Sequence, residues 1–189
     1  MKFKQDILIF FSTGNWQPVQ TCNFGSYMKS FQLRVSPAGN ESDNTAVNNI
    51  RFMCSNDRDI SGIGNTAGYW GEYSAECPDG ICGIETRQRP DGGIVVDNTA
   101  LNDVRFTCCT PGEGYNTVSV ANGEKKGDWG SAQLCPEGSR AIGYQTQNDL
   151  VDVPLYDKTA MNSIRLFCND TARTNITSKV GEYVFKNLK

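Results

Sequence analysis

One segment occurs three times in this chain, and its central copy reads Asp97-Asn98-Thr99-Ala100-Leu101-Asn102-Asp103-Val104-Arg105-Phe106-Thr107-Cys108-Cys109. Related copies, which together with this one we call the markers, occupy residues 43–54 and 157–168. In each marker the arginine follows the first aspartate by eight positions (43 to 51, 97 to 105, 157 to 165). A motif that recurs at this period indicates a repeated supersecondary unit. We therefore predict one domain over residues 1–189 with three repeats, at residues 13–57, 66–110 and 126–170.

Each repeat places the same landmarks in the same order. A tryptophan is followed after six or seven residues by a cysteine (16 to 22, 70 to 77, 129 to 135), and then by an apolar segment, a loop and the marker. The apolar segments alternate with period two, which is typical of a strand with one buried face. In the first repeat this alternation places five residues on one face of the strand: Tyr27, Lys29, Phe31, Leu33 and Val35. The marker of the same repeat predicts a second strand, with Ile50, Phe52 and Cys54 on one face and Arg51 and Met53 on the other.

Short alternating segments at residues 58–63, 116–120 and 174–180 predict linking strands, and the apolar run at residues 4–12 predicts another. A helical pattern is found only at residues 181–189. Three antiparallel units of four strands, each too small to bury its apolar face alone, would close around a common axis. We therefore predict an all-β, three-sided prism with pseudo-threefold symmetry.

The cysteine content indicates where the protein folds. The chain contains 8 Cys and no His. An even number of cysteines at repeating intervals is typical of an oxidising compartment, so we expect a secreted, extracellular protein. Three sequons agree with this expectation, and they make candidate glycosylation sites of Asn40, Asn169 and Asn175.

Charge and composition argue against several kinds of partner. The formal net charge of -3 and the pI near 5.0 give no basic field to attract nucleic acid. No run approaches the roughly 18 apolar residues of a membrane span. Zinc would need cysteines that the repeats already use, and the calcium-like segment that begins at Asp57 has Gly68 where its twelfth position requires Glu. We therefore predict no metal, no cofactor, no nucleic-acid partner and no membrane span.

The repeated motifs resemble a known family over residues 7–180. Trp70-Gly71, Cys77-Pro78-Asp79-Gly80-Ile81-Cys82-Gly83 and the central marker are similar to the vitelline membrane outer layer protein I family. The resemblance implies a secreted β-prism I of three Greek-key sheets with four disulfides, and a place in egg outer coats or other extracellular layers. It also implies a weak activity on N-acetylglucosamine oligomers. The repeat with adjacent cysteines is last in vertebrate members but central here, so this chain looks circularly permuted.

Repeat symmetry selects one disulfide pattern from the 105 pairings that eight cysteines allow. The cysteine after each tryptophan pairs with the cysteine of the following marker, which leaves one pair over. The predicted bonds are Cys22–Cys54, Cys77–Cys108, Cys135–Cys168 and, for the remaining pair, Cys82–Cys109.

The repeated polar and aromatic residues allow a structural and a functional interpretation. The marker aspartates, Asp43, Asp97 and Asp157, could form a carboxylate ring for glycoside hydrolysis, but Asp and Thr at these positions are typical of turns. We predict that each pairs with its marker arginine, Arg51, Arg105 or Arg165, in a structural role. Packing is the favoured role for Trp16, Trp70 and Trp129, with sugar stacking as their alternative role. Less repeated carboxylates remain as catalytic candidates: Glu72, Glu76, Glu85, Asp128 and Glu137.

These observations favour a structural or glycan-associating protein of an extracellular coat or mucosal layer, with glycans or coat glycoproteins as partners. A transglycosylase or lysozyme-like enzyme and a defensive lectin remain as alternatives. Loops that diverge on a symmetric scaffold are usual places for recognition. We therefore expect ligand contacts from residues 35–42, 88–96 and 146–156 or from the neighbouring tryptophans.

Overall fold

The computed structural model describes residues 14–36, 46–88, 101–109, 117–149 and 161–170, and these contain β-strands and no helix. The strands are β1 (Asn15–Trp16), β2 (Gln20–Thr21), β3 (Met28–Ser36), β4 (Ala46–Cys54), β5 (Asp59–Ser61), β6 (Tyr69–Trp70), β7 (Ile81–Gln88), β8 (Leu101–Cys108), β9 (Thr117–Val118), β10 (Asp128–Trp129), β11 (Gln133–Leu134), β12 (Ser139–Asn148) and β13 (Met161–Asp170). The segments predicted at residues 4–12, 174–180 and 181–189 lie outside the described residues. No helix in the described ranges is long and apolar enough to cross a membrane.

The strands form the three antiparallel sheets of a β-prism, as the sequence predicts. Sheet I has the order β5-β4-β3-β6, and sheet II has the order β10-β7-β8-β9 with β11 also paired to β7. Sheet III has the order β1-β12-β13 with β2 also paired to β12. Sheet II has five strands rather than the four expected, because its edge is formed by two short pieces, β10 and β11. The predicted linking strands at residues 58–63 and 116–120 are β5 and β9.

Aromatic side chains from all three sheets meet in the core. Phe106 of sheet II packs edge-on against Phe31 and Phe52 of sheet I, with ring centroids 4.6 and 5.2 Å apart. Tyr144 of sheet III lies 4.7 Å from Phe52. Its hydroxyl donates to the carbonyl of Ile50 at 2.9 Å and accepts from the amide of Gly62 at 2.7 Å. The hydroxyl therefore satisfies two backbone groups at the junction of two sheets.

One predicted strand face is wrong in part. Phe31, Leu33 and Val35 are buried as expected, but Met28 is buried in place of Lys29, whose side chain is partly exposed. The register between β3 and β4 shifts between Met28 and Ser30, which marks a β-bulge. A bulge inserts one residue and so reverses the inward and outward alternation beyond it.

The tryptophan of each repeat does not lie in the sheet that the rest of its repeat builds. We call the Trp segments residues 14–22, 68–77 and 127–135. Trp70 of the second repeat pairs with β3 in sheet I, and Trp129 of the third repeat pairs with β7 in sheet II. Trp16 of the first repeat pairs with β12 in sheet III. Each repeat therefore completes the sheet of the repeat before it, and the first segment closes the ring.

The four disulfides join Cys22 to Cys54, Cys77 to Cys108, Cys82 to Cys109, and Cys135 to Cys168. These are the four pairs that repeat symmetry predicts. In three of them one cysteine ends a Trp segment and the other lies at or near the end of a long strand of the next sheet. The amides of Cys22, Cys77 and Cys135 are bonded to β12, β3 and β7, respectively. Three disulfides therefore join neighbouring sheets around the ring, and Cys82–Cys109 joins β7 to the end of β8 within sheet II.

Candidate functional site on the outer sheet faces

A glycine two residues before each tryptophan brings the Trp segment onto its sheet. Gly14, Gly68 and Gly127 have φ angles of 90°, 73° and 82°, a conformation that glycine adopts without steric cost. A side chain of the sheet holds each glycine carbonyl. Arg34 Nε donates to Gly68 O at 3.2 Å, and Arg87 Nε donates to Gly127 O at 2.9 Å. In sheet III the corresponding donor is Gln147 Nε2, at 3.1 Å from Gly14 O.

The structure brings each predicted tryptophan together with a marker arginine. Arg51 Cζ lies 4.6 Å from the ring centroid of Trp70. The corresponding distances are 4.4 Å from Arg105 to Trp129 and 4.3 Å from Arg165 to Trp16. Every stack therefore joins an arginine of one repeat to a tryptophan of the next. The contact is a cation–π interaction, which stabilises by about 0.5–2 kcal/mol depending on solvent exposure.

The partner of each arginine across the strand pair is a glutamine or a glutamate. Arg51 Nε donates to Gln32 Oε1 at 2.5 Å, and Arg165 Nε donates to Gln145 Oε1 at 2.9 Å. Arg105 forms an ion pair with Glu85, with Nε 3.0 Å from Oε2. The marker aspartates Asp43, Asp97 and Asp157 lie outside the described residues, so their pairing with these arginines stays a prediction.

The glutamines make a second contact that Glu85 cannot make. Gln32 Nε2 donates to Gly71 O, and Gln145 Nε2 donates to Gln17 O at 2.6 Å. Each glutamine therefore fixes both the guanidinium group and the backbone directly after a tryptophan. A carboxylate is an acceptor only, so Glu85 holds Arg105 alone. Sequence reasoning missed the glutamines, although they stand 19 or 20 positions before their arginines (32 to 51, 145 to 165).

Four side chains at equivalent register positions form what we call the outer quartet of each sheet. The paired positions are 32 with 51 and 34 with 49 in sheet I, 85 with 105 and 87 with 103 in sheet II, and 145 with 165 and 147 with 163 in sheet III. They alternate with buried positions such as Phe31, Ile84 and Tyr144, so they lie on the outer faces. The quartets are Gln32, Arg34, Asn49 and Arg51 in sheet I; Glu85, Arg87, Asp103 and Arg105 in sheet II; and Gln145, Gln147, Ser163 and Arg165 in sheet III.

Asp103 is the buried carboxyl group of the sheet II quartet, and it is 9% exposed. Burial raises its pKa to about 6, although the Val104 amide and the guanidinium groups of Arg87 and Arg105 act to lower it. The backbone of Gly123 packs so closely on the carboxyl group that a Cβ at Gly123 would overlap it. In sheet I, Asn49 occupies the equivalent position under Gly64. Asp103 is therefore covered by backbone.

The carboxylates that the sequence analysis names as catalytic candidates are dispersed. Glu85 is paired with Arg105, and Glu76 forms an ion pair with Lys29 at 2.9 Å. Glu72, Asp128 and Glu137 are exposed. One further carboxylate, Asp59, accepts a hydrogen bond from Tyr73, and burial together with this bond raises the pKa of Tyr73 to about 12. Within the described part of the chain, the sheet II quartet places one of these candidates, Glu85, on the same outer face as the buried Asp103, a carboxyl group that sequence reasoning did not single out.

A cavity of about 150 Å³ borders the second Trp segment and is lined by Val35, Tyr69, Trp70, Gly71 and Asn122. Asn122 donates from Nδ2 to the carbonyl of Leu33 at 3.0 Å. Pockets that enclose a small-molecule ligand measure about 300–1,000 Å³, so this cavity is too small to enclose an oligosaccharide. Ligand contact in this region would therefore involve an open face.

Most predicted loop and glycosylation residues lie outside the described ranges. The loops at 35–42, 88–96 and 146–156 are described only at their ends, and Asn40 and Asn175 are not described. Asn169 lies in β13, where its side-chain oxygen accepts a hydrogen bond from the amide of Arg140 at 3.1 Å. Its glycosylation remains a prediction.

Three antiparallel sheets that exchange edge segments and are joined by disulfides define a β-prism protein. A sequence model of the vitelline membrane outer layer protein I family matches residues 11–111 and 116–184. The chain belongs to this family. It is 44% identical over 99 residues to the vitelline membrane outer layer protein 1 homolog of Mus musculus and 43% identical over 98 residues to that of Homo sapiens. Each alignment covers 52% of this chain and 48% of the relative, so the chain spans about half the length of the curated relatives it matches.

Proposed function

We propose that this protein is a structural, glycan-associating component of an extracellular layer. The observation that carries the proposal is a partly exposed tryptophan on the outer face of each disulfide-joined sheet. Trp16 is 38% exposed, and Trp70 and Trp129 are half-buried. One face of each ring is held by an arginine, which fixes its orientation, and a rigid aromatic ring with an exposed face suits the apolar face of a sugar. The names of the relatives, which refer to the vitelline membrane outer layer, support a place in a coat.

The disulfides support the extracellular part of the proposal. All eight cysteines are bonded, and stable disulfides of this kind are typical of oxidising compartments. In the chain-entropy model each closed loop of about 30 residues contributes roughly 3–4 kcal/mol to stability. Such a scaffold suits a protein that must persist outside the cell.

Glycosyl transfer is the second candidate function, and it is favoured by the pair Glu85 and Asp103 on sheet II. A carboxyl group with a pKa near 6 can act as a general acid while a second carboxylate stays ionised. Glycosyl transfer ranks second because the backbone of Gly123 covers the Asp103 carboxyl group and Arg105 forms an ion pair with Glu85. Product analysis on chito-oligosaccharides tests it: Glu85→Gln should abolish any turnover if this pair is catalytic.

Retention on immobilised glycans tests the proposed function. The parent protein should be retained on at least one of chitin, mucin and egg-coat glycoprotein. Trp16→Ala should weaken retention. Leu134→Ala is the matched control and should leave retention unchanged, because Leu134 is similarly exposed, at 37%, but has no aromatic ring held by an arginine. Near-ultraviolet circular dichroism would verify that both variants remain folded. Absence of parent retention on all three supports would refute the glycan-associating role.

A further inference from the structure

The three outer quartets occupy equivalent positions but carry different charges. Sheet I has two arginines and no carboxylate, for a charge of +2. Sheet III has one arginine and no carboxylate, for +1. Sheet II has two arginines, Glu85 and Asp103, so its charges cancel when both carboxyl groups are ionised. The sheet I quartet is therefore the most positive of the three, in a protein whose net charge is -3.

Among the described residues, the guanidinium groups of sheet I form their hydrogen bonds through Nε alone. Arg51 donates from Nε to Gln32 and is flanked by the rings of Trp70 at 4.6 Å and Tyr73 at 5.5 Å. Arg34 shares its Nε between the carbonyls of Ala67 and Gly68. A guanidinium group has five N–H donors. Within the described part of the chain, no carboxylate forms an ion pair with either arginine.

The edge strand β5 beside Arg51 carries a carboxylate, Asp59, that is hydrogen-bonded to Tyr73 rather than ion-paired with the arginine. Asp59 lies in β5 and accepts its hydrogen bond from the Tyr73 hydroxyl. Tyr73 thus holds Asp59 with its hydroxyl group while its ring faces Arg51. The guanidinium group of Arg51 is oriented by neutral groups, Gln32 and two aromatic rings. An anion from outside could therefore bind it without displacing any carboxylate of the described residues.

In the outer quartet of sheet II, by contrast, a carboxylate already pairs with the arginine. Glu85 replaces the glutamine found in the other two sheets, and it already holds Arg105. A second anion there would compete with a fixed carboxylate, and like charges repel at this range. The replacement of glutamine by glutamate at one quartet position thus separates an anion-accepting face from a neutralised one.

We propose that the outer face of sheet I binds the acidic group, a sulfate or a carboxylate, of a charged saccharide. This inference rests on the glycan association proposed above and specifies its ligand class. Arg51 and Arg34 contact the acidic group, and Trp70 supports the sugar ring. The net negative charge of the protein gives no long-range attraction for a polyanion. Recognition is therefore of a single acidic group at short range, and affinity for extended layers comes from repeated weak contacts.

Titration of the three tryptophan indole N–H signals by nuclear magnetic resonance tests the proposal, because each signal reports on one sheet. The probes are N-acetylglucosamine-6-sulfate, N-acetylglucosamine and sodium sulfate. The Trp70 signal should shift saturably with the sulfated sugar and more weakly with either of the others. The shift should disappear at an ionic strength of about 1 M, where the screening length is about 3 Å.

Two reciprocal variants provide matched controls. Gln32→Glu copies the Glu85–Arg105 pair into sheet I and should weaken binding at Trp70 by about tenfold or more, the factor expected for losing a charge-assisted hydrogen bond. Glu85→Gln gives sheet II the glutamine of sheet I while Asp103 remains, so it should create a response at Trp129 that is weaker than the response at Trp70. Both substitutions place a residue that the equivalent position already accommodates, so both variants should fold.

Three outcomes would overturn the proposal. The first is an equal shift of the Trp70 signal with the sulfated and the neutral sugar, and the second is unchanged binding by the Gln32→Glu variant. The third is that sodium sulfate binds as tightly as the sulfated sugar, which would mean that the site binds an anion without recognising a sugar. If neutral glycans alone bind, the proposed glycan association stands and only the acidic ligand class fails. If the protein is also not retained on chitin, mucin or egg-coat glycoprotein, both fail.

Discussion

Asp103 is a single residue whose protonation affects the stability of the whole protein. Burial raises its pKa from 3.8 to about 6. Between about pH 4 and 6 the folded protein binds this proton more tightly than the unfolded chain does. The free energy of unfolding therefore decreases as the pH rises through this interval, and the loss is complete above about pH 6.

Asp103→Asn should remove this dependence. Asn49 already occupies the equivalent position in sheet I, accepts the amide of Ile50 in the same way that Asp103 accepts that of Val104, and lies under a glycine. The free energy of unfolding should equal that of the parent near pH 3.5 and exceed it above pH 7 by at most about 3 kcal/mol, from about 2 pKa units at 1.36 kcal/mol each. Urea denaturation at both pH values would measure the difference.

Asp79→Asn, which changes an exposed carboxyl group and leaves Asp103 in place, is the control for this experiment and should keep the pH dependence of the parent. If Asp103→Asn is less stable than the parent at neutral pH, the attraction of the Asp103 carboxylate to Arg87 and Arg105 outweighs the cost of its burial.

Tyr144→Phe tests the polar contact in the aromatic core. The substitution keeps the ring but removes the hydroxyl group that pairs Ile50 O and Gly62 N. Each backbone group left unpaired costs about 1–3 kcal/mol, so the variant should lose at least that amount in thermal or chemical denaturation. Tyr69→Phe is the control, because Tyr69 is 80% exposed. Equal stability of the Tyr144 variant and the parent would contradict this role.

At the level of elements, the Trp segments depend on the glycine that precedes them. Gly68 has a positive φ angle, and a Cβ there would overlap the carbonyl of Val35. Gly25 has a similar φ angle of 82° but no atom within 4 Å of such a Cβ. Left-handed backbone costs a residue with a side chain about 1–2 kcal/mol, and overpacking adds typically 1–3 kcal/mol. Gly68→Ala should therefore destabilise the protein by the sum of these costs, and Gly25→Ala by the first alone.

The free energy of unfolding of the two alanine variants would measure this difference. Intrinsic tryptophan fluorescence should also change in Gly68→Ala, because Trp70 would move relative to Arg51. Equal losses of stability would indicate that the second Trp segment does not require the close approach of Gly68 to β3.

The strand pattern could be predicted from the sequence because it is local, whereas the pairing of edges could not. The alternation of Ile50, Phe52 and Cys54 predicts β4 correctly, since period two is visible in adjacent residues. The exchange of Trp segments is not visible in this way, because Trp70 and Arg34 are brought together by the ring as a whole. The bulge between Met28 and Ser30 was also missed, since an inserted residue has no pattern of its own.

The partners of the marker arginines also could be predicted from the sequence only in part. A charged residue in a strand predicts a carboxylate partner, and Arg105 has one in Glu85, whereas its predicted partner Asp97 lies outside the described residues. For Arg51 and Arg165 the described partners are Gln32 and Gln145, together with Trp70 and Trp16. Within the described ranges, a neutral amide and an aromatic ring occupy the place expected for a carboxylate, and only the fixed spacing along the repeats could have indicated this combination.

At the scale of the whole molecule, three disulfides join neighbouring sheets, whereas Cys82–Cys109 lies within sheet II. Replacing both cysteines of either Cys135–Cys168 or Cys82–Cys109 by serine opens loops of similar length, with separations of 33 and 27 residues. Both variants should lose roughly 3–4 kcal/mol of global stability by chain entropy. Only loss of Cys135–Cys168 should free the third Trp segment locally, since that bond ties the segment to sheet III.

Hydrogen exchange would separate the two effects. The amides of Gly130 and Cys135, which are bonded to β7, should exchange faster in the variant without Cys135–Cys168, because local opening no longer requires sheets II and III to separate. Their exchange should follow global stability alone in the other variant. Equal protection in both would refute the role of this disulfide in joining sheets.

The closure of the ring by the first Trp segment has a consequence for biosynthesis. Trp16 precedes Ser139, the first residue of its partner strand β12, by 123 positions (139 minus 16). At about 5–20 residues per second, a ribosome needs on the order of ten seconds to make that interval. Cys22 and Cys54 can meet and oxidise early in this time, but the segment that carries Trp16 has no sheet to join. The first Trp segment therefore reaches its final place only after β12, which follows it by more than a hundred residues, has emerged.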